Sequence, residues 1–126
     1  MNHQSESQLQ EQICNYLSMI CRKYKFIYFS VPNEAWGAGR SKKKLSGAEY
    51  GKINHFKKMG MTSGVSDLII GHKGKMFCLE LKLPKGKQSE SQIIFMNNCK
   101  TAGVEYGIVR SLDECKSCLE FWGITE

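Results

Sequence analysis

Asp67, Glu80 and Lys82, in the stretches "VSDLII" and "CLELK", are residues of this chain whose types and spacing could do chemistry. In an extended strand, residues i and i+2 point to the same side, so Glu80 and Lys82 share one face while Leu79, Leu81 and Leu83 share the other. Asp67 lies thirteen positions before Glu80, and if "HKGK" closes a hairpin, Asp67 stands near the open end of its strand, beside Glu80. Two carboxylates and a lysine converging at a sheet edge are costly to bury unless a cation sits between them. Mg²⁺ and Mn²⁺ take oxygen ligands and keep several waters, so two carboxylates suffice when a phosphate supplies the rest. Lys82 would then face an attacking water or the developing phosphorane oxygens. The competing reading is a plain ion pair on a solvated strand, which contributes only ~0–1 kcal/mol.

The elements that must position these residues follow from periodicity. Leu9, Ile13, Tyr16, Leu17, Ile20 and Tyr24 recur at helical spacing, with Ser5 as N-cap. At 100° per residue Glu6 lies within about 20° of Ile13 and Leu17, which puts it on the inward stripe, whereas Glu11 falls about 140° away. "KFIYFSV" reads as a strand ending at Pro32, and residues 33 to about 63 as a long excursion rich in Gly, Lys and Ser with one short helix. "VSDLIIG" and "MFCLELKL" form the hairpin, with His72 solvated in its turn. "SESQIIFMNNCKTAG" is a helix with Ser89 or Ser91 at its cap and Gly103 at its end. "VEYGIVR" is a fourth strand, and Ser111 opens a last helix, "SLDECKSCLEFWG". The order is α-β-β-β-α-β-α, an α/β fold with a central mixed sheet flanked by helices.

Bulk properties narrow the classes. A chain of 126 residues, 41% hydrophobic, reads as one domain with one core, residues 1–126. No apolar run approaches the roughly 20 residues of a membrane helix, and "MNHQSESQLQEQ" has no leader pattern, so an intracellular, reducing, cytoplasmic setting and no membrane partner are expected. Cys14, Cys21, Cys78, Cys99, Cys115 and Cys118 are scattered; only Cys115 and Cys118 form a C-x-x-C pair, so buried free thiols are expected over zinc. His3, His55 and His72 have no metal-ligand spacing, Trp36 reads as an anchor of its own loop, and Phe121 and Trp122 as core or dimer contacts. The net charge of +6 is concentrated at Arg40, Lys42, Lys43, Lys44, Lys52, Lys57 and Lys58. That basic insertion, about residues 34–63, suits a phosphate backbone; a solvated loop or a nuclear-type targeting tract would read the same way.

"GVSDLII" followed by "CLELK" resembles the D…(D/E)-x-K signature of the PD-(D/E)XK nuclease superfamily, with Ser66 where proline is usual. Over nearly the whole chain the flanks resemble its VRR-NUC branch. "ESQLQEQICNYL" matches that family's early helix through Glu6, Leu9, Gln10, Ile13, Tyr16 and Leu17. "GKQSESQIIF" matches the helix opened by a glutamine, best at Gln92 and less well at Gln88. "GVEYGIVRS" matches the segment with Tyr106, Val109 and Arg110, and "VPN" a family turn with Asn33 near the cleft mouth.

The resemblance implies a restriction-endonuclease-like core and a divalent-metal-dependent, structure-selective DNA endonuclease. Asp67, Glu80 and the Leu81 carbonyl would hold Mg²⁺ or Mn²⁺, with Glu6 completing the site directly or through water. Lys82 would orient the nucleophile and Gln92 a ligand or water. Arg40, Lys42, Lys43, Lys44, Lys57, Lys58 and Arg110 would contact DNA, although Arg110 could instead cap a carboxylate. The minimal, stand-alone form known from viruses and phages, acting in the host cytoplasm, implies a homodimer on four-way (Holliday) junctions. A flap or single-strand nuclease, a non-catalytic nucleic-acid-binding module and an interaction protein with a surface Glu80–Lys82 pair are the alternatives.

Overall fold

The computed structural model describes residues 4–32 and 47–126. Helix α1 (Glu6–Tyr24) starts at a capping box in which the Ser5 hydroxyl accepts from the Gln8 amide and the Gln8 side chain returns to the Ser5 N–H. It ends at Lys25, in the left-handed region at φ 59°. Strand β1 (Phe26–Ser30) follows, then helix α2 (Gly47–Lys58), the hairpin strands β2 (Leu68–His72) and β3 (Lys75–Leu81), helix α3 (Glu90–Ala102), strand β4 (Glu105–Val109) and helix α4 (Leu112–Phe121). The expected order holds, with α2 as a 12-residue helix inside the basic insertion.

The sheet is four-stranded, in the order β1-β2-β3-β4. β1 and β2 pair antiparallel, as do β2 and β3, while β3 and β4 run parallel. Lys73 and Gly74, at φ 49° and 79°, make the two-residue β2–β3 turn, whose doubled positive φ matches the strand twist. His72 is not solvated as expected: it closes β2 between Phe26 and Lys75 and is buried by the ladder on both sides.

Alternation along β3 divides the core. Phe77, Leu79 and Leu81 face Leu9, Ile13 and Leu17 of α1 and Cys115 and Leu119 of α4. Cys78 turns to the other side, against Cys99 of α3, with Ile69, Phe95 and Tyr106 around it. Trp122 packs on Phe77 at 5.1 Å between ring centroids, whereas Phe121 is exposed. All six cysteines are free thiols, and burial raises the pKa of Cys78 and Cys115 to about 12. Among the described residues no helix is long and apolar enough to cross a membrane.

One contact couples the two halves of the α3 side. Gly64, at φ +76°, is buried against the start of α3; a Cβ there would collide with the Ser91 carbonyl and lie 2.7 Å from the Gln92 nitrogen. Gly103, at φ +77°, has nothing within 4 Å of the same position. The pair separates conformational strain from collision. Gly103→Ala should destabilise by about 1–2 kcal/mol, and Gly64→Ala by about 1–3 kcal/mol more. Urea denaturation of the three proteins measures both; equal losses would refute the collision.

Candidate active site

The β2–β3 register carries three functional groups to one end of the sheet. Leu68 pairs with Leu79, so Asp67, one residue before β2, is carried up beside Glu80. Its backbone carbonyl accepts the Val31 N–H at 2.9 Å, and its Oδ2 accepts the Leu81 N–H at 2.8 Å. These bonds hold the carboxyl across the end of β3. Because N–H and C=O of one strand residue point to the same edge, the Leu81 carbonyl opens on the Asp67 side too, while the Leu81 side chain is buried in the core.

Glu80 lies on the α3 face and is 1% exposed; Lys82 on the same face is 8% exposed. Glu80 Oε2 accepts from Gln92 Nε2 at 2.9 Å and pairs with Lys82 Nζ at 3.6 Å. Glu80 Oε1 is buried and has no hydrogen-bond partner. A carboxylate oxygen left this way would cost several kcal/mol if it stayed charged. Burial accordingly pushes the Glu80 carboxyl up to about 8, with the Asp67 charge adding to the rise and Lys82 opposing it. Asp67 is also raised, by burial first, against the Leu81 N–H that favours its charged form. The bare pair therefore keeps a proton near neutrality, in a place where a cation would relieve the same repulsion.

The residues fit a hard divalent cation. The orphaned Glu80 oxygen, Asp67 and the Leu81 carbonyl are all oxygen donors of the kind Mg²⁺ and Mn²⁺ accept. Among the described residues no group of three or more His, Cys, Asp or Glu side chains stands ready to hold a metal. A cleft of about 420 Å³ adjoins Asp67, lined also by Ser7, Gln10 and Glu11 of α1 and by Ser30 to Pro32.

The other expected residues divide. Gln92 reaches Glu80, and Gln88 instead donates to the Tyr106 hydroxyl at 3.3 Å. Tyr106 is raised by burial and then by the Glu80 charge, which places its ring close to the site. Glu6 is exposed rather than buried on the inward stripe: it is the first residue of α1, and burial begins at Leu9. Its charge still raises both Asp67 and Glu80. Arg110 turns one guanidinium nitrogen back onto the chain. Its Nη1 donates to the carbonyls of Leu83 at 2.7 Å, Pro84 at 3.3 Å and Gly86 at 2.8 Å, tying down the loop after Lys82. Lys57 and Lys58 are exposed in the last turn of α2. Arg40, Lys42, Lys43, Lys44, Asn33, Trp36 and His3 lie outside the described residues. Gly64 went unremarked in the sequence, where it falls between the long excursion and the "VSDLIIG" strand. The Arg110 bonds span 24 to 27 positions and leave no local signal.

The chain matches no protein-family model and no curated protein. Its fold is restriction-endonuclease-like, an α/β core with a four-stranded mixed sheet between helices. Among solved structures it is similar to a VRR_NUC domain protein, at 16% identity over 97% of this chain and 90% of that one, with a TM-score of 0.60. At that identity the likeness establishes the shared fold.

The raised Glu80 carboxyl has a signed consequence for the metal-free protein. Its folded pKa, about 8, exceeds the ordinary 4.5, so the folded state binds more protons between these values. The stabilisation is fully present below about pH 4.5 and is lost as pH rises towards 8. In EDTA, stability should fall from pH 5 to 8 more steeply than in Glu80→Gln, by up to about 1.4 kcal/mol per pH unit for one proton. Denaturation across that range measures it; parallel curves would refute the assignment.

Proposed function

We propose that this chain is a divalent-metal-dependent DNA endonuclease that hydrolyses phosphodiester bonds. The observation that carries the reading is Glu80, buried with Oε1 unpartnered, beside Asp67 and Lys82 at the end of one sheet. A folded protein with only a structural ion pair there has no use for an unsatisfied buried carboxylate oxygen. The shared fold with a VRR_NUC domain protein supports the same reading.

Asp67, Glu80 and the Leu81 carbonyl would hold Mg²⁺ or Mn²⁺, with Glu6 acting through water from the exposed first turn of α1. When bound, the ion supplies Lewis-acid activation of water and neutralises charge on the phosphate. Lys82, held by Glu80, points its ammonium at the same place, where it orients the attacking water and stabilises charge developing on the phosphoryl oxygens. Gln92 fixes the Glu80 carboxylate and Leu81 fixes Asp67, so the donors need little rearrangement.

The substrate in this proposal is branched DNA, a four-way junction cut by a homodimer. Paired cuts across a two-fold junction need two copies of a chain with one site. The basic insertion would grip the backbone through charge, without reading sequence.

Labelled four-way junction, flap, single strand and linear duplex, each with Mg²⁺, Mn²⁺ or EDTA, test this reading. Junction cleavage should require the metal and fall at least about a hundredfold in Lys82→Ala, with junction binding retained. Binding should be at least tenfold tighter at about 50 mM than at about 200 mM salt. Preferential cutting of flaps or single strands would reassign the substrate. Metal-independent cleavage, or junction binding with no cleavage of any substrate, would overturn the nuclease reading.

A further inference from the structure

The Gln92 side chain takes part in two structures at once. As residue N3 of α3 it closes a capping box: its Oε1 accepts the Ser89 backbone N–H at 2.8 Å, while the Gln92 backbone N–H donates to Ser89 Oγ at 3.2 Å. The far end of the same amide, Nε2, donates to Glu80 Oε2 at 2.9 Å. An amide with its oxygen pinned by an N–H can present only its nitrogen on the other side. Rotated by half a turn, it would set two acceptors against each other at Glu80 and two donors against each other at Ser89.

We infer that the Ser89 backbone N–H is a positioning group for Glu80: by locking the Gln92 amide it commits Oε2 to the Gln92 hydrogen bond, on the oxygen that also pairs with Lys82, and leaves Oε1 as the single oxygen for a cation. The lock is seated by Gly64, whose close approach to Ser91 and Gln92 sets the end of α3 against the segment leading to Asp67. The helix cap is thereby part of the site. A free amide would sample both orientations, and Glu80 would lose the asymmetry between its oxygens.

The choice of Oε1 as ligand rests on the metal site proposed above; the lock itself does not, and the two are measured apart. Ser89 sits at φ −74°, which proline adopts without strain, so Ser89→Pro deletes the N–H together with the Oγ cap, and Ser89→Ala, which deletes Oγ alone, is its control. Calorimetric titration of the full chain with Mn²⁺ should show about tenfold weaker binding in Gln92→Ala than in the unsubstituted protein, and in Ser89→Pro than in Ser89→Ala. In the Gln92→Ala background, Ser89→Pro and Ser89→Ala should bind equally, because the N–H has no side-chain amide left to hold. Equal affinity in Ser89→Pro and Ser89→Ala, or a gap between them that persists in the Gln92→Ala background, would overturn the inference.

A second arm needs no variant and no metal. In ¹⁵N NMR of the metal-free chain, one proton of the Gln92 side-chain NH₂ should be protected from solvent exchange relative to the exposed glutamine side chains. Both protons exchanging as fast as those of an exposed glutamine would overturn the lock. Should the unsubstituted protein bind no Mn²⁺ while this protection is present, the metal site falls and the lock stands.

Discussion

Everything at this site depends on a carboxylate being kept out of water with half its hydrogen-bonding capacity unused. Glu80 is 1% exposed, and its Oε1 has no partner although Oε2 has a hydrogen bond from Gln92 and an ion pair with Lys82. Lys82 alone cannot compensate: at 3.6 Å it pairs with the oxygen that Gln92 already serves. The Asp67 charge adds repulsion, which a proton shared between the two carboxyls relieves. Proton uptake is the response available to the protein by itself, and the raised carboxyl expresses it. An arrangement of this kind weakens the fold, and strongly shifted carboxyls cluster at functional sites.

The strand that carries Glu80 explains how the residue comes to be there. β3 serves two layers at once, sending Phe77, Leu79 and Leu81 into the α1–α4 core and Cys78, Glu80 and Lys82 towards α3. Slipping by one residue would push Glu80 into the leucine layer and Leu79 against Gln92, so register and site are a single choice. The tight turn at Lys73 and Gly74 enforces that choice from one end of the hairpin, and the Asp67–Leu81 bond from the other.

What could be read before folding was whatever alternation and capping express locally. The hairpin, the face shared by Glu80 and Lys82, the α3 cap at Ser89 and the nearness of Asp67 all follow from spacings within about a dozen residues. Glu6 shows where this logic stops. Its angular position on α1 was sound, and its charge does reach Asp67 and Glu80, but a helical wheel has no axial coordinate and could not show that the core begins at Leu9. Arg110 shows a second limit. Its Nη1 bonds carbonyls of a loop far away in sequence, a contact that exists only once β4 lies beside β3. Gly64 is a third case, because a turn glycine and a contact glycine look alike until α3 arrives.

The Arg110 clamp then explains why the strain on Glu80 persists. A strand end bearing an unsatisfied buried charge would ordinarily relieve it by fraying into water. Here the Leu81 N–H is held by Asp67, the Lys82 N–H by the Val109 carbonyl at 3.0 Å, and the loop beyond by Arg110 through Leu83 and Gly86. The Arg110 N–H is in turn fixed by Glu114 in the first turn of α4. Fraying β3 would break each of these restraints, so the carboxylate stays buried. The end of the strand is thus held from β2, β4 and α4 together, and the burial of Glu80 is met by proton uptake rather than by the chain moving away.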